Sequence, residues 1–129
     1  MIEREAQLLN GQPDKIYLGG CSQGAVIALA TFMLYKGGRL GGCVSCFGAH
    51  RVALDYANEV DLALKRQTKV LLYHGEADTN IKITEAMKSY EEFTTHQLDV
   101  EIEREPDLGH RFSSQMIQRA SDFYICLML

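Results

Sequence analysis

The feature that most constrains the fold is an alternation of strand-like and helix-like segments along the whole chain. Four segments have strand character, three as apolar runs and the last by alternation: 15–19, 42–47, 68–74 and 98–104. Helical patterns occupy the remaining chain, only weakly in the third of them: 2–10, 23–35, 54–66, 82–95 and 113–127. Apolar strands separated by helices are typical of a parallel sheet covered on both faces. We therefore predict an α/β fold with about four mostly parallel strands flanked by helices.

Length and charge narrow the class of protein. The chain has 129 residues, enough for one domain with its own core. Its net charge is −4 and its Lys and Arg residues are scattered, which gives no electrostatic reason to expect nucleic acid as a partner. The charged start Met-Ile-Glu-Arg-Glu lacks the apolar region of a secretory signal, and the apolar stretch 25–35 is too short to span a bilayer. We expect a cytoplasmic protein without stable membrane insertion.

The cysteines indicate packing more than metal binding. Cys43 and Cys46 form an isolated C-x-x-C, and no second pair or nearby histidine completes a zinc site. We predict that both are buried thiols in a strand. Cys126 begins a C-terminal C-a-a-X, the pattern of prenylation, but no basic stretch precedes it and the surrounding pattern indicates a core helix. Whether Cys126 is modified stays open.

A serine lies between two glycines where the first strand meets a helix, in the sequence Gly20-Cys21-Ser22-Gln23-Gly24. This G-x-S-x-G arrangement is typical of a nucleophile elbow, in which glycines let the strand and the helix pass without a Cβ clash. Ser22 is then the nucleophile, Gly20 and Gly24 are the elbow glycines, and the backbone N–H of Gln23 is an oxyanion donor. The alternative is a glycine-rich turn without a chemical role.

A serine nucleophile needs a base, and the base needs an acid that orients it. Asp78 lies just past the third strand and His110 lies in the loop after the fourth. Catalytic groups of open α/β sheets gather at the carboxyl ends of the strands, so both are predicted to lie near Ser22. Glu76 is the alternative acid, and Asp107 is interpreted as a loop-shaping carboxylate.

The remaining polar candidates are interpreted as structural or surface residues. His74 is expected at a strand end, hydrogen-bonded to the Asp78 loop. His50 and His96 have no motif around them and are expected to be solvated. Ser45 lacks flanking glycines and is expected to be structural.

Three motifs together resemble the acyl-protein thioesterase, or lysophospholipase/carboxylesterase, family of α/β-hydrolases. They are Leu-Gly-Gly-Cys-Ser-Gln-Gly at 18–24, His-Gly-Glu-Ala-Asp at 74–78 and Gly-His at 109–110. The resemblance implies a serine esterase or thioesterase with Ser22 as nucleophile, His110 as base and Asp78 as its orienting acid. The implied substrates are acylated proteins, lysophospholipids or small esters, and no metal or cofactor is implied.

The chain also departs from that family. Cys21 and Ala25 replace a phenylalanine and a glycine of the elbow, Thr-Asn-Ile at 79–81 replaces Pro-Val-Val, and Arg-Phe at 111–112 is bulkier than usual. The family begins with strands upstream of the elbow, including a loop that supplies a second oxyanion donor, and residues 1–21 resemble neither. We therefore expect 1–129 to be an N-terminally truncated hydrolase domain. Its first strand would have an open edge suited to homo- or hetero-oligomer formation. The alternative function is a non-catalytic binding or structural subunit that uses this edge.

Overall fold

The computed structural model describes residues 1–129 and contains a four-stranded sheet with helices on both faces. The strands are β1 (Tyr17–Cys21), β2 (Gly42–Cys46), β3 (Val70–Gly75) and β4 (Val100–Glu105). The helices are α1 (Ile2–Leu8), α2 (Gln23–Leu34), α3 (Leu62–Lys65), α4 (Ile83–Thr95) and α5 (Ser114–Met128). A short 3-10 turn, Pro13–Lys15, precedes β1.

The strands lie side by side in sequence order, β1-β2-β3-β4, and every pair is parallel. After each strand the chain crosses back through a helix or loop before the next strand begins. All four carboxyl ends therefore lie at the same end of the sheet. The predicted four-stranded α/β fold with parallel strands is confirmed.

Two apolar clusters hold the layers together, one on each face of the sheet. Helices α1, α2 and α4 pack on one face, with Phe32, Met33 and Phe93 in the larger cluster. Helix α5 packs on the other face through Met116 and Phe123. The sheet is thus buried from both sides, which explains why β2 and β3 are buried along their whole length.

The prediction of a helix over 54–66 is wrong for its first half, since only Leu62–Lys65 is helical. The carboxylate of Asp55 accepts the backbone N–H groups of Ala57 and Asn58 at 3.2 and 3.3 Å. Asp55 Oδ2 also accepts the side-chain amide of Asn58 at 2.8 Å. These local hydrogen bonds offer the backbone an alternative to the helix, and the chain forms a turn there.

Helix α2 is less buried than its sequence predicts. Its apolar pattern runs nearly all round, which is typical of a fully buried helix. In the structure Ile27 is 64% exposed and Leu34 is 42% exposed, because none of the described elements covers that side of the helix. Periodicity reports that a face is apolar, but it does not report what covers the face.

The cysteines of β2 are buried free thiols, as predicted. Burial raises the pKa of Cys43 to about 12, although the nearby Lys65 acts in the opposite direction. Cys126 is a free thiol on the exposed side of α5. None of the helices is both long enough and apolar enough to cross a bilayer.

Candidate active site

Ser22 lies at the turn from β1 into α2 and has an unusual backbone conformation. Its φ is 52° and its ψ is −120°, in a region that side-chain-bearing residues rarely adopt. Three backbone hydrogen bonds hold it there. Its N–H donates to the carbonyl of Cys46 at 3.0 Å, and its carbonyl accepts the N–H groups of Ala25 and Val26 at 3.1 and 3.3 Å. Such a conformation costs on the order of 1–3 kcal/mol and clusters at functional sites. The turn lifts the hydroxyl above the carboxyl edge of the sheet.

The two glycines of the elbow differ in what they allow. A Cβ built on Gly20 would lie 2.3 Å from the carbonyl oxygen of Gly24, so only glycine permits this approach of β1 to α2. A Cβ on Gly24 would meet nothing within 4 Å. The predicted steric role therefore holds for Gly20. It is wrong for Gly24, because Gly24 contributes only its backbone carbonyl to the close contact and has room for a side chain.

Gln23 is the first residue of α2. The N–H groups in the first turn of a helix have no intrahelical partner, and the helix dipole places partial positive charge at this end. The backbone N–H of Gln23 therefore lies next to Ser22 as a donor that the helix does not use.

Asp78 lies in the loop after β3, and its side chain is fully buried. Its Oδ1 accepts the backbone N–H groups of Asn80 and Ile81, each at 2.9 Å, and its Oδ2 lies 2.8 Å from His110 Nδ1. Burial by itself raises the pKa of this carboxyl group. The hydrogen bonds from Ile81, His110 and Asn80 outweigh burial and hold the pKa below its usual range. Asp78 is thus an anion at neutral pH.

His110 connects the other two residues. Its Nε2 lies 2.7 Å from Ser22 Oγ, and its Nδ1 faces Asp78. An Nδ1–H that donates to the carboxylate leaves Nε2 as the acceptor for the serine O–H. The structure therefore brings together three side chains that lie 88 and 32 residues apart in the sequence.

Gly75 lets the Asp78 and His110 loops meet, a role that sequence reasoning missed. A Cβ on Gly75 would lie 2.2 Å from the carbonyl oxygen of Leu108, and the Ala77 N–H donates to that same oxygen at 2.9 Å. Any larger residue would push the His110 loop away from the end of β3. The sequence feature that could have indicated this role is the His74-Gly75 pair at the end of β3.

Phe47 supports the imidazole, and it too was missed. It follows β2 with φ 40°, and its ring meets the ring of His110 edge to face with centroids 4.9 Å apart. Phe112 packs edge to face on Phe47 at 4.9 Å and is half exposed. Phe112 therefore packs on Phe47, which in turn contacts the imidazole.

The alternative acid lies elsewhere. Glu76 is half exposed and pairs with Arg104 at 3.3 Å. Asp107 has φ 61° and shapes the loop before His110. His74 is fully buried, with Nε2 2.7 Å from the carbonyl oxygen of Ile81 and 3.3 Å from Asp78 Oδ2. It thus contacts the Asp78 loop at the strand end, where the sequence places it.

The expectation that His50 is solvated is wrong. Its side chain is 2% exposed, against the Phe93 ring at 4.9 Å and Glu92 Oε2 at 3.3 Å. The chain after β2 folds back onto α4, a long-range contact that no local pattern reports. His96 is partly buried and stacks on Tyr56 at 3.8 Å. Ser45 is buried, with its hydroxyl 3.4 Å from that of Tyr90.

A cleft of about 330 Å³ opens over the serine. Three predicted residues line it, Ser22, Gln23 and His110, together with four that the sequence did not nominate: Val26, Arg51, Asn80 and Ile81. A larger cavity of about 450 Å³ lies between α1 and α2 and contains none of these residues. The cleft over Ser22 is small, open and largely polar, and only two of its seven residues are hydrophobic.

The fold is that of an α/β-hydrolase, and solved structures agree with it. Zea mays acyl-protein thioesterase 2 superimposes with a TM-score of 0.83 at 20% identity, covering 99% of this chain and 63% of that one. A variant of Arabidopsis thaliana SOBER1 gives 0.85 at 24% identity, covering 99% and 60%. The predicted α/β-hydrolase fold is confirmed.

The chain belongs to the phospholipase/carboxylesterase family, whose model matches residues 2–127. It is 27% identical over 123 residues to acyl-protein thioesterase 1 homolog 1 of Dictyostelium discoideum, covering 95% of this chain and 53% of that protein. It is 28% identical over 123 residues to a probable carboxylesterase of Oryza sativa subsp. japonica, covering 91% and 52%. The chain thus spans about half the length of the curated relatives it matches.

Proposed function

We propose that this chain is a serine hydrolase that cleaves carboxylic esters or acyl thioesters through Ser22, His110 and Asp78. One observation carries the proposal: the continuous hydrogen-bonded chain from Ser22 Oγ through both ring nitrogens of His110 to the buried carboxylate of Asp78. A hydroxyl, a base and an orienting acid in this order are the requirements for nucleophilic catalysis by serine.

In the acylation step, Ser22 Oγ attacks the carbonyl carbon while His110 Nε2 takes the hydroxyl proton. The carbonyl oxygen becomes an oxyanion and accepts the N–H of Gln23 at the start of α2. The negative charge of Asp78 stabilises the imidazolium that forms. When the intermediate collapses, the bond to the leaving oxygen or sulfur breaks, and His110 returns the proton to that atom.

In the deacylation step, water replaces the departed alcohol or thiol. His110 Nε2 takes a proton from the water as its oxygen attacks the acyl-serine carbonyl. Collapse of the second intermediate returns the proton to Ser22 Oγ and releases the carboxylic acid. His110 acts first as base and then as acid in each step, so no further cofactor is required by the proposal.

The names of the relatives support the substrate class. The matched proteins include an acyl-protein thioesterase and a probable carboxylesterase. We therefore propose acylated proteins, lysophospholipids or small esters as substrates. The Gln23 N–H is the one oxyanion donor we assign. Loss of one such donor costs on the order of 10²–10³ in turnover, so slow hydrolysis is expected if no second donor is supplied.

The test is covalent labelling of the purified chain with a fluorophosphonate, read by intact mass. We expect one label per chain, abolished in Ser22→Ala and retained in Ser121→Ala, which removes an exposed hydroxyl from α5. Ester and thioester hydrolysis should show the same dependence on Ser22.

A folded chain that takes no label would overturn the catalytic proposal. It would favour the second candidate, a non-catalytic subunit that binds a partner through the open edge of β1. That candidate is supported by the position of β1 at the outside of the sheet and by the exposed apolar residues of α2.

A further inference from the structure

Arg51 is the one side chain with a permanent positive charge among the residues that line the cleft over Ser22. It lies in the loop after β2, in a stretch without a recognised motif. Its neighbours in the lining include the amide side chains of Gln23 and Asn80. A guanidinium in a cleft of this character suits a polar substrate group better than a long apolar chain.

Arg51 is anchored through its guanidinium and through the residue that precedes it. Its Nη2 donates to Glu85 Oε1 at 2.6 Å, and Glu85 lies in the first turn of α4. The preceding residue is anchored to the same helix, because the His50 N–H donates to Ser89 Oγ at 3.0 Å and the His50 ring is buried against Phe93. The arginine therefore has a defined position at the rim of the cleft, which an unsupported surface arginine lacks.

Most of the donors of Arg51 remain available. A guanidinium has five N–H groups in a planar fork, and Glu85 provides the one hydrogen-bond acceptor that Arg51 has in the protein. The side chain is 48% exposed, so an exposed pair of this kind contributes little to stability. Its free donors suit a second carboxylate or phosphate, which guanidinium binds with charge-assisted hydrogen bonds.

We propose that Arg51 forms an anion-binding subsite of the cleft, which takes a carboxylate or phosphate group of the substrate close to the scissile carbonyl. The inference rests on the proposed function and adds a substrate class to it: esters or thioesters that carry a negative charge on the acyl group or on the leaving group. Glu85 positions the guanidinium and also competes with the substrate anion for it.

The experiment compares kcat/KM for three esters with the full chain. The 4-nitrophenyl ester of pentanoic acid is neutral, the 4-nitrophenyl monoester of glutaric acid carries its charge on the acyl side, and the pentanoyl ester of a hydroxybenzoic acid carries it on the leaving group. We expect Arg51→Gln to lower kcat/KM by about tenfold or more for one of the charged esters and to leave the neutral ester nearly unchanged. The ester that responds identifies the side on which the anion lies.

Two further variants separate recognition from a structural role. Glu85→Gln should raise kcat/KM for the responding charged ester, because the guanidinium loses its competitor, whereas a purely structural pair predicts an equal decrease for all three esters. Arg39→Gln, which removes an arginine paired with Asp14 instead of one lining the cleft, should change none of them.

The outcomes distinguish this inference from the proposed function. If the neutral ester is hydrolysed and Arg51→Gln affects all three esters equally, the subsite is wrong and the hydrolase proposal stands. If no ester is hydrolysed and Ser22 takes no fluorophosphonate, the proposed function is wrong, and the inference is overturned with it.

Discussion

The two outer strands of the sheet lead to two residues of the candidate site, Ser22 and His110, and they are built differently. Strand β4 leads to His110 and carries glutamates at alternate positions, Glu101, Glu103 and Glu105. Arg119 of α5 pairs with the first two, and the third accepts the hydroxyls of Tyr73 and Ser113 at 2.7 and 2.6 Å. Charged side chains of this kind are a recognised protection for a sheet edge.

Strand β1 leads to Ser22 and has no such protection. Its sequence, Tyr-Leu-Gly-Gly-Cys, contains no charge, and its outer edge has no neighbour among the described residues. The exposed Ile27 lies on α2, the helix that packs on β1. The difference is that His110 follows an outer strand protected by charged side chains, whereas Ser22 follows an outer strand with the composition of an interior one.

The largest effect is expected at Asp78, which follows the interior strand β3 and orients His110. Asp78→Asn keeps the volume of the side chain but removes the charge that stabilises the imidazolium. We expect kcat for ester hydrolysis to fall on the order of 10⁴-fold, the magnitude seen for this change in serine hydrolases. Glu76→Gln, at the half-exposed carboxylate paired with Arg104, is the control and should keep its activity. Equal losses in the two variants would contradict the assignment of Asp78.

The next largest effect is expected at the turn from β1 to α2, which carries Ser22. Gly20→Ala places a Cβ 2.3 Å from the Gly24 carbonyl oxygen, so α2 must move away from β1. We expect a loss of about 3 kcal/mol in the free energy of unfolding, measured by urea denaturation, and loss of labelling at Ser22.

Gly24→Ala is the matched control for that variant, since its Cβ meets nothing within 4 Å. Because alanine favours a helix more than glycine does, we expect unchanged or slightly higher stability. Equal destabilisation by both alanines would show that the contact at Gly20 is not the constraint.

A smaller effect concerns the far end of α2, where Lys65 Nζ donates to the Tyr35 carbonyl at 2.5 Å and lies 5.0 Å from the centre of the Phe32 ring. Burial lowers the pKa of Lys65 to about 8, against attraction from Asp61 and Cys43. Between that value and the unfolded pKa near 10.5, the unfolded chain binds the extra proton, so stability rises with pH through this window.

The measurement is the free energy of unfolding of the wild type relative to Lys65→Met, followed from pH 7 to 11. The difference should shift in favour of the wild type by on the order of 2 kcal/mol, while titrations common to both proteins cancel. A difference that is flat with pH would show that Lys65 is neutral, or equally charged, in both states.

The smallest effect is expected on self-association, at exposed apolar residues near the two outer strands. Ile27 lies on the β1 side of the sheet and is 64% exposed, and Ile102 on β4 is 38% exposed. If the β1 side is the association surface, Ile27→Lys should weaken concentration-dependent self-association about tenfold, as expected for one apolar side chain removed from an interface. Ile102→Lys should leave self-association unchanged. Sedimentation velocity of both variants tests this difference. A wild type that is monomeric at all concentrations would contradict this expectation.

The elements and their order could be predicted from local pattern, because apolar runs and helical periodicity are properties of neighbouring residues. The same holds for the strand-to-helix turn at Ser22 and for the placement of Asp78 and His110 after strands. In a parallel sheet the carboxyl ends of strands lie together, so position along the sequence predicts position in space for these three residues. Their catalytic roles remain predictions.

Other features depend on contacts that no local pattern encodes. The one-sided role of the elbow glycines, the close approach at Gly75 and the burial of His50 all arise where distant segments meet. Arg51 enters the cleft only because the chain after β2 folds onto α4. By itself, the sequence determined the α/β architecture, the family and the candidate residues, since these rest on local pattern and order. Tertiary structure alone decided which groups touch, which faces stay open and which charge lines the cleft, because these depend on packing between residues far apart in the chain.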